Sequence, residues 1–282
     1  EVMLIILSVV TAAAALQAAG GMDFLVNVAG NILRSHPGQI TILGPLITYV
    51  FVLFAGTAHI SYSIMPIIAE VAIKNRIRPE RAMSMSVTAA HMAITASPVS
   101  AAGAAMLTVL ASEGISLADI LMVAIPATII GVLIGILFVF KRGKELSEDP
   151  EFQERMKNPT FAKNLEGTNA VDIELKPGAK SSVAVFGLAI LAVVLLGSFP
   201  QLLPEFSGAK NLVASFAVTE TGQVRMPSMI MMIMLSCAGF IILLCKTKAA
   251  EVTKASLFAS AGQATIAVFG VVWMSGTFTD NN

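Results

Sequence analysis

The residues best suited to chemistry form two short polar interruptions in apolar sequence, Gly56-Thr57-Ala58-His59-Ile60-Ser61 and Thr95-Ala96-Ser97-Pro98-Val99-Ser100. Proline removes a helix hydrogen bond and pushes the residue before it out of helical geometry, so the second interruption predicts a broken helix. A helix broken inside apolar surroundings presents an N-terminus whose positive partial charge and free N–H groups suit an anion. Ser97 is expected to be the N-cap of a second half starting near Pro98, a favoured first-turn residue. In the first stretch a helix starting near Tyr62 would point its N-terminus back at Thr57 and Ser61. Two such ends could hold a carboxylate with hydroxyls and backbone amides and no buried arginine. The candidate binding residues are therefore Gly56, Thr57, His59, Ser61, Thr95, Ser97, Pro98 and Ser100. Gln17, ahead of Gly20 and Gly21, is a further polar contact to the same cavity. His59 could contact a ligand, carry a proton or serve as a hydrogen-bonded turn residue. The plain alternative for every hydroxyl is a bond to neighbouring helix backbone.

No catalytic constellation is present. His36, His59 and His91 have no carboxylate or cysteine at ligand spacing, which excludes a zinc site or a triad by pattern. A phosphate-binding glycine loop is also missing, so no metal and no cofactor is expected. Cys237 and Cys245 read as packing residues, His91 as structural, and the Gly131-x-x-x-Gly135 pair as a site of close helix packing.

The elements that must position these residues follow from composition. Of 282 residues 56% are hydrophobic and 13% charged, with a mean hydropathy of +0.81. That excludes a soluble enzyme, a nucleic-acid binder and a disordered scaffold. Seven runs lack Asp, Glu, Lys and Arg: 2–22, 35–69, 82–112, 120–140, 181–204, 226–245 and 255–279. A bilayer core needs about 20 helical residues, so each run is long enough to span. As one helix, 82–112 would be about 46 Å long, and Thr95–Ser100 supplies the break it needs. The run 35–69 is too long for one crossing and too short for two, which predicts a re-entrant hairpin over 40–72 with arms about Ile40–Phe54 and Tyr62–Ala72.

That layout places sixteen of the 18 basic residues on one face, leaving Lys210 and Arg225 opposite, and the basic face is assigned to the cytoplasm. The fold class expected is all-α, a polytopic transmembrane helical transporter with a re-entrant hairpin, a broken helix and an incomplete inverted repeat. Its first half, 1–140, holds span 2–22, hairpin 40–72, broken helix 82–112 and span 120–140. Residues 141–180 are a solvated cytoplasmic connector, helical around Pro150–Met156. The second half, 181–282, holds spans 181–204, 226–245 and 255–279. The repeat rests on setting Ala15–Gly21 against Val271–Thr277, with Gly20 over Gly276.

Four ordered stretches carry a resemblance: Gly20-Gly21-Met22-Asp23-Phe24-Leu25-Val26, Phe54-Ala55-Gly56-Thr57-Ala58-His59, Ile73-Lys74-Asn75-Arg76-Ile77-Arg78-Pro79-Glu80-Arg81, and Met92-Ala93-Ile94-Thr95-Ala96-Ser97-Pro98-Val99-Ser100. They resemble the anaerobic C4-dicarboxylate transporters of the Dcu type, nearer the DcuB-like branch. The resemblance implies a multi-pass antiporter of the bacterial inner membrane, exchanging external fumarate, malate or aspartate for internal succinate. It also implies that the hairpin tip and broken helix contact substrate, on the residues named above. Family chains are longer, so this sequence, starting at Glu1, is expected to be a fragment with earlier spans and a second hairpin beyond its ends. The partners expected are a small dicarboxylate and the lipid bilayer, no nucleic acid, and, as the family allows, a homo-oligomer or a sensor kinase. Two other readings stay open: a carrier of citrate, arsenite or sodium and protons in the same superfamily, and a dicarboxylate-binding membrane sensor subunit.

Overall fold

The structure, a computed structural model, describes residues 2–110, 113–160, 175–205 and 222–280. Among these the chain is all-α, without a named strand. Its helices are α1 (Val2–Ala18), α2 (Gly21–Ser35), α3 (Ile40–Ala55), α4 (His59–Lys74), α5 (Pro79–Ala96), α6 (Ala101–Leu110), α7 (Leu117–Val139), α8 (Pro150–Met156), α9 (Ala179–Ser198), α10 (Met226–Leu244), α11 (Ala249–Lys254) and α12 (Ser256–Asp280). Four stretches are long and apolar enough to cross a bilayer, Pro37–Ala55, Leu117–Val139, Ala179–Ser198 and Met226–Leu244. A fifth is added when Met3–Ala18 and Gly21–Ser35 count as one interrupted span. The chain is an all-α polytopic membrane protein.

Helix ends follow local chemistry. Gly20 adopts φ +84°, a left-handed conformation that suits glycine and stops α1, so the expected span 2–22 ends at Ala18. Helix α2 was not anticipated, because Asp23 and Arg34 bound the charge-free runs. Its signal is the buried series Met22, Leu25, Val26, Ala29 and Leu33, a helical stripe. Arg78 precedes Pro79 at the start of α5, where a missing N–H costs nothing. At the start of α7, Asp119 accepts from the Ser116 amide at 2.9 Å and Ser116 Oγ accepts from the Asp119 amide at 3.3 Å, a reciprocal cap. Asp149 accepts from the amides of Glu151 and Phe152 and starts α8 at the expected Pro150–Met156. The expected repeat is not mirrored locally, since α12 runs helically through Gly276 whereas Gly20 ends a helix.

Contacts divide the chain into two compact units, interleaved in sequence. The first comprises 1–21, 98–121 and 176–282, the second 22–97 and 122–175. In the first, α1 packs against α6, α9, α10, α11 and α12. Ala12 to Leu16 are buried almost completely, because four successive small residues let neighbours approach from every side.

In the second unit α3, α4 and α5 pack mutually. Their shared core includes Tyr49, Val52, Ala55, Ile64, Ile68, Ala89 and Ala93. Helix α7 lies against this core through Gly131 and Gly135. A Cβ on Gly135 would meet Met85 Cε at 2.4 Å and one on Gly131 would meet Met92 at 3.4 Å, so each glycine leaves room for a methionine side chain. Tyr49 Oη and Thr128 Oγ1 hydrogen-bond at 2.8 Å on the same seam.

The described part of the connector, 141–160, is mostly exposed but is tied to the start of α5. Arg81, 6% exposed, donates to the Arg142 carbonyl at 2.7 Å, to the Gly143 carbonyl at 2.8 Å and to Glu145 at 2.5 Å. Arg78 donates to the Lys144 carbonyl at 2.8 Å and pairs with Asp149. Residues 142–149 are thereby pinned to the α4–α5 turn, because a guanidinium's planar fork can meet several acceptors at once. Residues 161–174 of the expected connector lie outside the described residues.

Candidate functional site

The hairpin is built by α3, a three-residue tip and α4. Helix α3 ends because Gly56 takes the left-handed conformation, φ 68°, with its amide donating to Val52 O. Helix α4 starts at His59 and not near Tyr62, so His59 and Ser61 belong to its first turn. Ala58 is the N-cap residue of α4, and Thr57 closes the tip before it: its Oγ1 accepts the His59 amide at 3.3 Å and lies 3.0 Å from His59 Nδ1. With the hydroxyl already an acceptor from the amide, its own proton is available for Nδ1. In the tautomer where Thr57 donates to Nδ1, the imidazole proton sits on Nε2, a donor suited to a carboxylate. Both side chains are half-buried, and Tyr62 packs its edge against the His59 ring at 5.9 Å. The α4 N-terminus adds positive partial charge at the same place.

The break comes where expected, but its roles are exchanged. Ser97 is the C-terminal cap residue of α5, with φ −82° and ψ 128°, and its Oγ donates to the Leu53 carbonyl at 2.7 Å. The last carbonyls of a helix have no intrahelical partner, so Ser97 satisfies one in the final turn of α3 and fastens the end of α5 to the hairpin tip. The N-cap of the following helix is Ser100, whose Oγ accepts the Gly103 amide at 2.9 Å. Pro98 lies in the connecting turn and not in the first turn of α6. Hydroxyls at both ends of a four-residue break made the two serines indistinguishable by pattern.

Among the remaining candidates, Ser61 Oγ donates back to Ala58 O at 2.6 Å, the backbone-bonding alternative. Thr95 is exposed on α5. Gln17 is placed differently from the expectation: it bonds Ser256 Oγ at 3.0 Å and accepts the Leu257 amide at 3.3 Å, so it caps α12. His91 is exposed with Nδ1 2.8 Å from Val87 O, consistent with a structural role. The second unit thus brings together Gly56, Thr57, His59 and, through Leu53, Ser97. Pro98, Ser100 and Gln17 belong to the first unit.

Among the described residues no group of three or more His, Cys, Asp or Glu could hold a metal. A cavity of about 610 Å³ between α9 and α10 is lined by Leu188, Met229, Met232 and Phe240, with Ser236 its one hydroxyl. It offers nothing to an anion. Sequence reasoning missed Leu53, which acts through its carbonyl and has no side-chain signal. It also missed Glu70, a carboxylate in an apolar arm that is itself a functional flag.

The anaerobic C4-dicarboxylate membrane transporter profile, covering DcuA and DcuB, matches residues 1–282. The chain belongs to this family. DcuB of Escherichia coli O6:H1 is 37% identical over 284 residues, covering 98% of this chain and 61% of DcuB. DcuA of Wolinella succinogenes is 39% identical, covering 100% of this chain and 61% of its own length. DcuA of Escherichia coli K12 is 36% identical over 283 residues, 100% and 62%. Identity to the DcuA and DcuB branches is alike, so neither is favoured. The chain spans about three-fifths of the length of these relatives. No solved structure matches it. The relatives are named as transporters, a non-enzymatic family.

Proposed function

We propose that the full-length protein exchanges C4-dicarboxylates across the bacterial inner membrane, taking up fumarate, malate or aspartate and releasing succinate. The observation that carries this is the junction at the hairpin tip, where the Thr57–His59 pair sits on the α4 N-terminus and Ser97 ties the end of α5 one turn away. Membership of the family supports it. One substrate carboxylate is held by the Thr57–His59 pair and the first amides of α4. Charge is met by dipoles and hydrogen bonds and not by a buried cation, so substrate can leave as readily as it enters. A competition panel tests the reading. Labelled fumarate bound to the purified full-length protein should be displaced by succinate, malate and aspartate and not by citrate or arsenite. Displacement by citrate alone would move the protein to another carrier class.

The membrane placement proposed is that α3 and α4 form a re-entrant hairpin with both feet at the cytoplasmic face, where residues 141–160 also lie. It is supported by the one-sided charge and by the Arg78 and Arg81 contacts that hold 142–149 against the α4–α5 turn. Cysteines placed at the exposed Asn75 and Lys157 should both react with a membrane-impermeant maleimide only in inverted vesicles. Labelling of the two from opposite sides would reject the hairpin.

A further inference from the structure

Glu70 is a buried carboxylate at the foot of the hairpin, away from the tip. It lies in α4 about three turns after His59 and is 5% exposed in an otherwise apolar arm. Arg34 Nη2, at the end of α2, is 3.2 Å from its Oε2, and Lys74 Nζ is 2.7 Å from its Oε1. Arg34 precedes the hairpin and Lys74 ends it. The carboxylate therefore joins the point where the chain enters the hairpin to the point where it leaves. Packing alone does not call for this device, since an apolar side chain of similar volume commonly does as well as a buried ion pair. What an ionic clamp adds is a fixed register. Without Glu70 the two cations would face each other and push the feet apart, and the movement would be carried along the rigid arm to the tip.

We infer that Glu70 is a positioning residue for substrate: it locks the feet of the hairpin together, so that Thr57 and His59 are presented at a fixed place. The inference rests on the proposed dicarboxylate transport. With the feet held, rearrangement of the tip falls to the left-handed Gly56 and the short turn after it. A site whose groups must stay within about half an ångström of productive geometry is sensitive to such a lever.

The test uses the full-length protein in proteoliposomes, with fumarate counterflow measured for wild type, Glu70→Gln, Glu70→Met and Glu70→Asp. Spin labels at the exposed Ser35 and Asn75 report the distance between the feet. Glu70→Met removes the charge without putting a new polar group in the buried position, so it keeps the test available if Glu70→Gln inserts poorly. Glu70→Gln and Glu70→Met are expected to raise the fumarate KM about tenfold or more, with maximal rate within about threefold and a broadened foot distance. Glu70→Asp, which keeps the charge, is expected to restore both values to near wild type. Wild-type KM in Glu70→Gln or Glu70→Met, or a loss of rate with KM and foot distance unchanged, would overturn the clamp. Absence of counterflow in wild type would instead sink the transport reading on which it rests.

Discussion

Replacing Thr57 with valine in the full-length protein is expected to weaken fumarate binding by roughly 10- to 150-fold, the equivalent of one hydrogen bond to a charged group at about 1.5 to 3 kcal/mol. The change is nearly isosteric, so it removes the hydroxyl and little else. It takes away the acceptor for the His59 amide and the partner of Nδ1 together, and so frees the imidazole to change tautomer and orientation. Ser97→Ala should cost less affinity, because its hydroxyl is spent on Leu53 O, and Ser61→Ala least, because its hydroxyl only bonds back to Ala58 O. Such intramembrane bonds average about 0.6 kcal/mol. Ser8→Ala is the control, as its hydroxyl bonds Leu4 O within α1. Calorimetric titration of each variant orders them. A Thr57→Val affinity within about twofold of wild type would remove the tip from the binding site.

Replacing Arg81 with methionine is the largest expected loss of stability. Glu145 is 42% exposed, so its pair with Arg81 contributes little. The loss comes from the buried Arg81 guanidinium, whose hydrogen bonds to the carbonyls of Arg142 and Gly143 tie 142–149 to the start of α5. Two such bonds amount to about 3 kcal/mol, or a fall in melting temperature of roughly 6 to 12 °C for a unit of this size. Arg81→Lys should recover only part, since one ammonium cannot reach three acceptors that a planar fork meets. Thermal unfolding in detergent measures the shift, and limited proteolysis should open 142–149 in parallel. An unchanged melting temperature would mean that the corner is held by other contacts.

These two sites differ in how far the sequence exposes them. The hairpin tip is legible because Gly56 and the polar residues after it interrupt a charge-free run, and the break because Pro98 cannot continue a helix. The bounds of α8 are legible because Asp149-Pro150 is a strong start signal. Long-range pairing is not. Arg34 and Glu70 are 36 residues apart, and Arg81 reaches carbonyls more than 60 residues away, so no local pattern announces either. Gln17 is misjudged for the same reason, its partner being the first turn of α12, 239 residues on. Helix α2 is hidden by a rule that reads charge as the end of a span, although its buried stripe is regular. The exchange of roles between Ser97 and Ser100 turns on where one turn of backbone closes, which residue types alone do not decide.

An exchanger couples entry of one dicarboxylate to exit of another, which transport can show directly. Proteoliposomes of the full-length protein are loaded with succinate, diluted into labelled fumarate and followed for uptake. Rapid fumarate entry is expected, dependent on internal succinate and strongly reduced in Thr57→Val. Fumarate entry that is the same with or without internal succinate, or no entry at all in correctly inserted protein, would contradict it.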